Sequence, residues 1–173
     1  MFTADDVEVK GVSKYQSAGV NEKVVITEIN LIELQGGKRV IEMKTLNEHN
    51  QEGKSKRLYL DTVPSEGRQV SAWTVSAKYL INLLMAANRS TEADAKAVLR
   101  ADNETGLIKN LNSALIGKPF RALFSSKEYQ PSKFAIELYG AETVGGTRLA
   151  FDTNNKYMNS LLPTAKADDG MPF

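Results

Sequence analysis

Between Val20 and Leu34 the apolar residues alternate with polar ones and then change sides. Val24 and Ile26 share one parity, Ile29 and Leu31 the other, and the switch falls at Thr27-Glu28. A period of two marks a strand with one buried face. A strand whose buried face reverses midway carries a bulge or sharp bend, as strands of small barrels do.

The neighbouring segments extend this pattern. Val7, Val9 and Val12 suit a short edge strand. Gln35-Gly36-Gly37-Lys38 is a turn signal, because glycine accepts positive φ, and it leads into a second strand, Arg39 to Leu46. Asn47 to Lys54 reads as a polar loop and Lys56 to Asp61 as a third strand, with Leu58 and Leu60 opposite Arg57 and Tyr59. The middle is helical. Ala77, Leu80, Ile81, Leu84 and Met85 form one stripe at helical spacing, with Thr74 or Ser76 as its cap. Ser90 or Thr91 caps a second helix, Glu92 to Ala101. A third runs from about Glu104 to Leu115 and ends at Gly117. Strands return at Lys118 to Ser126 and Lys133 to Tyr139, joined by a loop at Lys127 to Ser132. Gly140 to Gly146 reads as a turn region, and Arg148 to Phe151 as one more short strand.

Three strands, helices, then a closing hairpin make a mostly β chain with a helical insertion, an α+β protein. That is the order of the OB-fold, a five-stranded Greek-key barrel, here with helices between strands 3 and 4. An α+β sandwich is the other architecture the order allows. Residues 1–160 are expected to form the domain and 161–173 a flexible acidic tail. Phe120, Phe124 and Phe134 alternate like core residues, and Trp73 would staple the first helix to the sheet.

Composition removes several classes of function. The chain has 173 residues, enough for one core. It has no cysteine and one histidine, so thiolate sites and sites needing two imidazoles are out. His49 stands in a polar loop and reads as a solvated side chain. Gly36-Gly37-Lys38 lacks the spacing of a phosphate loop, and Gly140 with Gly145-Gly146 lacks that of a dinucleotide fingerprint. We therefore expect no catalytic residues, metal or cofactor. The longest apolar run, Tyr79 to Ala87, is interrupted by Asn82 and too short to cross a bilayer, and the N-terminal residues do not read as a signal peptide. The expected setting is cytoplasmic. Lys and Arg number 22 against 21 Asp and Glu, a net charge of +1, which excludes a histone-like polycation but not a local basic stripe.

Cations and rings are interleaved on the strands. Lys38 and Arg39 flank the first turn, and Lys44 lies on the second strand. Lys54, Lys56 and Arg57 precede Tyr59. Arg121, Lys127, Tyr129 and Lys133 surround the second hairpin, and Tyr139 follows. Single-stranded nucleic acid needs both kinds of group, cations for phosphates and rings for bases. These twelve residues are the candidate DNA-binding set. At the other end, Asp168 and Asp169 precede Gly170, Met171, Pro172 and Phe173. Acids followed by an apolar anchor make a portable peptide ligand, and the acids can also compete with phosphate for the protein's own cations.

Asp168-Asp169-Gly170-Met171-Pro172-Phe173 resembles the acidic tip of bacterial single-stranded-DNA-binding proteins, with Met171 where Ile or Leu is usual. The body is similar to bacteriophage single-stranded-DNA-binding proteins of OB type, in Leu115-Ile116-Gly117-Lys118-Pro119-Phe120 and the Lys127-Glu128-Tyr129 turn. The resemblance implies sequence-independent binding of single-stranded DNA in phage replication, recombination or repair, in the host bacterial cytoplasm. It also implies recruitment of partner enzymes by Asp168, Asp169, Met171, Pro172 and Phe173. Self-association is compatible with the helices. A strand-annealing recombination protein and an adaptor or structural phage protein that binds no nucleic acid are the alternatives.

Overall fold

The computed structural model describes residues 2–3 and 13–149. The strand expected around Val7, Val9 and Val12, the 160/161 boundary and the 168–173 tip lie outside the described residues, as do residues 150 and 151 of the last expected strand. Six strands and three helices are present: β1 (Gly19–Glu33), β2 (Arg39–Asn47), β3 (Glu52–Lys54), β4 (Leu58–Tyr59), α1 (Ala72–Asn88), α2 (Glu92–Val98), α3 (Glu104–Leu115), β5 (Phe120–Gln130) and β6 (Lys133–Glu142). The protein is α+β, with one antiparallel sheet in the order β3-β2-β1-β5-β6 and β4 paired to β2.

The bend expected in the first strand is there. The β1–β2 register shifts between Ile26 and Glu28, and the buried residues change from Val24 and Ile26 to Ile29 across it. The expected third strand is corrected. Ladder pairing covers Glu52 to Lys54 and Leu58 to Tyr59, and Ser55 between them turns its N–H and hydroxyl toward Met43, accepting the Met43 amide at 2.9 Å. Among the described residues the sheet therefore has six strands rather than five. It is open: among the described residues, the β3 and β6 edges meet at one isolated parallel bridge, Ser55–Leu138.

The second hairpin is longer than its sequence suggests. Lys127 to Gln130 continue β5 instead of looping, and Pro131-Ser132 alone makes the turn, with Ser132 at φ 62° and its N–H donating to Glu128 Oε1 at 3.0 Å. Residues 127–134 are all exposed and project as a two-stranded arm. β6 also takes in Gly140 to Glu142, part of the expected turn region, while Arg148 and Leu149 are not in a strand.

Side chains from both layers share one core. Ile26, Met43, Phe120 and Phe124 of the sheet pack with Leu80, Leu84, Leu111 and Leu115 of the helices. Ser71, upstream of the two expected caps, caps α1 by accepting the Thr74 N–H at 3.2 Å. Trp73 consequently lies within the first turn, half-buried against the core. Thr91 caps α2, which stops at Val98, and Gly117 follows α3 at φ 75°.

α1 fastens the two edges of the sheet. Ser76 Oγ donates to the Tyr59 carbonyl at 2.8 Å, Tyr79 Oη to the Leu138 carbonyl at 2.6 Å, and Asn82 Oδ1 accepts the Ala141 N–H at 3.2 Å. Burial, then the nearby Glu137 carboxylate, push the Tyr79 phenol far up, so it stays a donor. Among the described residues no helix is long and apolar enough to cross a membrane.

Candidate nucleic-acid interface

The outer face of β2 and β3 carries rows of side chains fixed by the ladder. Glu28, Lys44 and Lys54 are cross-strand neighbours on β1, β2 and β3, and Lys44 Nζ lies 3.1 Å from Glu28 Oε2. Asn30 pairs with Glu42 in the next row, and Glu42 Oε2 lies 3.8 Å from Arg57 Nε. Ile32 and Val40 follow, with Tyr59 opposite Val40.

The β5–β6 arm stands over this face. A cleft of about 540 Å³ lies between them, with Glu42, Lys54 and Arg57 on one wall and Tyr129, Phe134 and Glu137 on the other. It adjoins a second cleft of about 660 Å³ that shares Glu42 and Lys54 and adds Lys44, Ile136 and Tyr15. Tyr15 is placed there by a parallel bridge to Glu52 and by backbone bonds on both sides of it, Gln16 N–H to Glu52 O at 2.7 Å and Glu52 N–H to Lys14 O at 2.9 Å. Behind it, the buried Asn47 Nδ2 lies 3.0 Å from Gln16 Oε1 and 2.8 Å from Gln51 Oε1, tying residues 13–17 to the β2–β3 loop. Tyr15, Tyr129 and Phe134 are each more than half exposed. Apolar rings left in water beside cations are suited to stacking on planar ligands.

Of the twelve sequence candidates, Lys44, Lys54, Arg57 and Tyr129 come together in these two clefts. Lys127 and Lys133 are exposed on the arm. Lys38 and Tyr59 line a separate cleft of about 790 Å³ beside the β4–α1 loop, with Lys38 Nζ 5.9 Å from the ring centre. Lys56 turns to α1, its Nζ 4.9 Å from the centre of the Tyr79 ring. Arg39 pairs with Glu104 of α3, and Tyr139 lies on β6, 40% exposed and outside the clefts.

Arg121 is a correction. Strand alternation points it outward, but it is buried, with Nη1 2.6 Å from Glu142 Oε1 and Nε 2.8 Å from Glu22 Oε2. Those bonds, Glu22's first, outweigh its burial and hold it more firmly protonated than usual. Phe134 is the second correction. Its parity matches the buried Leu138, yet it lies on the arm, beyond the reach of the helices, and is 56% exposed. Its position three residues after Pro131 was the available signal. Tyr15, Glu42 and Ile136 carry none, since only the fold brings them to the clefts. Among the described residues no cluster of metal-ligating side chains could hold an ion. No protein-family model matches the chain, and no curated protein matches it either.

Proposed function

We propose that the protein binds single-stranded DNA with its backbone against Lys44, Lys54 and Arg57 and its bases against Tyr129, Phe134 and Tyr15. The observation that carries this is the pair of adjoining clefts, where exposed rings and cations face each other across a channel open to solvent. The architecture supports an OB-type barrel. The strand order, the parallel bridge between the sheet edges and the helices inserted before the last two strands all fit that scheme, with the seam only partly zipped. Strands 2 and 3 are the usual binding face of such barrels, and here they form the floor of the channel.

In this reading the protein sequesters exposed strands during phage replication, recombination or repair in the host cytoplasm. The Asp168 to Phe173 segment recruits partner proteins and competes with DNA for the channel. The test is a titration of the full chain with a labelled oligo-dT at low and moderate salt. Affinity should fall with salt at a slope of about −0.7 per phosphate contacted. Truncation after Pro163 should tighten binding. Absence of binding at low salt would overturn the proposal.

A further inference from the structure

A channel built only for phosphates and base faces has no use for carboxylates, yet Glu42 and Glu137 line its smaller cleft and Glu42 and Glu52 its larger one. Glu42 stands on the β2 wall and Glu137 on the β6 wall, with the exposed rings of Tyr129 and Phe134 lining the smaller cleft. Glu42 is the better placed, since both clefts share it. Its side chain keeps 24% exposure, and Arg57 engages one oxygen at 3.8 Å. Among the described residues Glu42 has no other ionic partner, and it lines both clefts.

A carboxylate beside a stacked base accepts hydrogen bonds from exocyclic amino groups and repels carbonyl oxygens. Cytosine presents an amino group at C4 where thymine presents an oxygen. The Glu42 carboxylate itself repels phosphate, so beside Lys54 and Arg57, which take the backbone, it is left to meet a base edge.

Resting on the single-strand reading, we infer that Glu42 gives the channel a base preference, accepting a hydrogen bond from the exocyclic amino group at the edge of a base stacked on the aromatic rings. Cytosine is therefore favoured over thymine. Comparing these two pyrimidines keeps ring size nearly constant, so stacking differs little between them.

The experiment measures the affinity of the full chain for oligo-dC and oligo-dT of equal length. It is run at one salt concentration and slightly alkaline pH, where oligo-dC does not pair with itself. The expected result is tighter binding of dC by about fivefold, the low end of what base-edge contacts give. Glu42→Gln should bring that ratio toward one, because an amide both donates and accepts. Glu28→Gln removes the same charge from a residue outside the clefts, so it should shift both affinities together and leave the ratio intact. Equal wild-type affinities would overturn the inference and leave the single-strand reading standing. A ratio unchanged in Glu42→Gln, or one lost only in Glu137→Gln, would overturn the assignment to Glu42. Failure to bind either oligomer would overturn the underlying reading instead.

Discussion

Arg121 and Glu142 illustrate how one residue's environment reverses its expected role. Burial alone would push the Glu142 carboxyl up. The Arg121 hydrogen bond and the amides of Leu149 and Arg148, at 3.3 and 3.0 Å, outweigh it and hold the group below the usual carboxylate range. A carboxyl with a lowered folded pKa binds fewer protons than it does in the unfolded chain. Its stabilisation is thus complete above the ordinary carboxylate range and is lost as pH falls through the folded value. Thermal melts should show Tm dropping on acidification below about pH 4, and Glu142→Gln should flatten part of that slope. At neutral pH the same substitution leaves Arg121 buried with Glu22 alone. We expect a loss of about 3 kcal/mol in urea denaturation, the low end for breaking a buried pair. In the sequence Arg121 looked like a groove cation because alternation reports a strand's two faces, not which face is later covered. Glu22 and Glu142 lie far away in the chain, and no local pattern links them to it.

At the level of elements, β3 and α1 decide whether the sheet keeps its shape. Gly53 sits where β3 crosses the core. A Cβ there would lie 2.7 Å from Thr45 Oγ1 and 3.1 Å from the Phe124 ring. Gly53→Ala should therefore cost about 1–3 kcal/mol by overpacking, read as a lower urea midpoint. Tyr79→Phe removes the hydroxyl that binds the Leu138 carbonyl, and we expect a loss of about 1 kcal/mol. Amide exchange in β6 should quicken alongside it. Much of this layer was legible. The bend in β1, the first turn, the start of α2 and all of α3 follow from periodicity and capping chemistry. The break in the third strand was not, because at Ser55 the hydroxyl accepts the Met43 amide while the Ser55 N–H still bonds the Met43 carbonyl. Nor was the arm, because a Pro-containing polar segment reads as a loop until its partner strand is known.

For the whole molecule, the proposed interface and the core draw on different residues. The rings of Tyr129 and Phe134 project into water on the arm, so replacing both with Ala should weaken oligo-dT binding by tenfold or more, at about 1–3 kcal/mol per stacked base, with Tm nearly unchanged. An equal fall in Tm would instead make them part of the fold. The candidate site was half visible in the sequence: its lysines and Tyr129 were, while Phe134 and Tyr15 depended on where the hairpin ends and where residues 13–17 are tied. The single bridge between Ser55 and Leu138 bears on the order of folding. It joins residues separated by the entire helical layer, and so long a closure costs chain entropy before the contact returns anything. Docking of α1, which touches both edges through Ser76, Tyr79 and Asn82, shortens that closure. The seam is then the last contact made and the first released. Tyr79→Phe weakens that docking, so it should slow refolding more than it speeds unfolding, the kinetic signature of a link already made in the transition state.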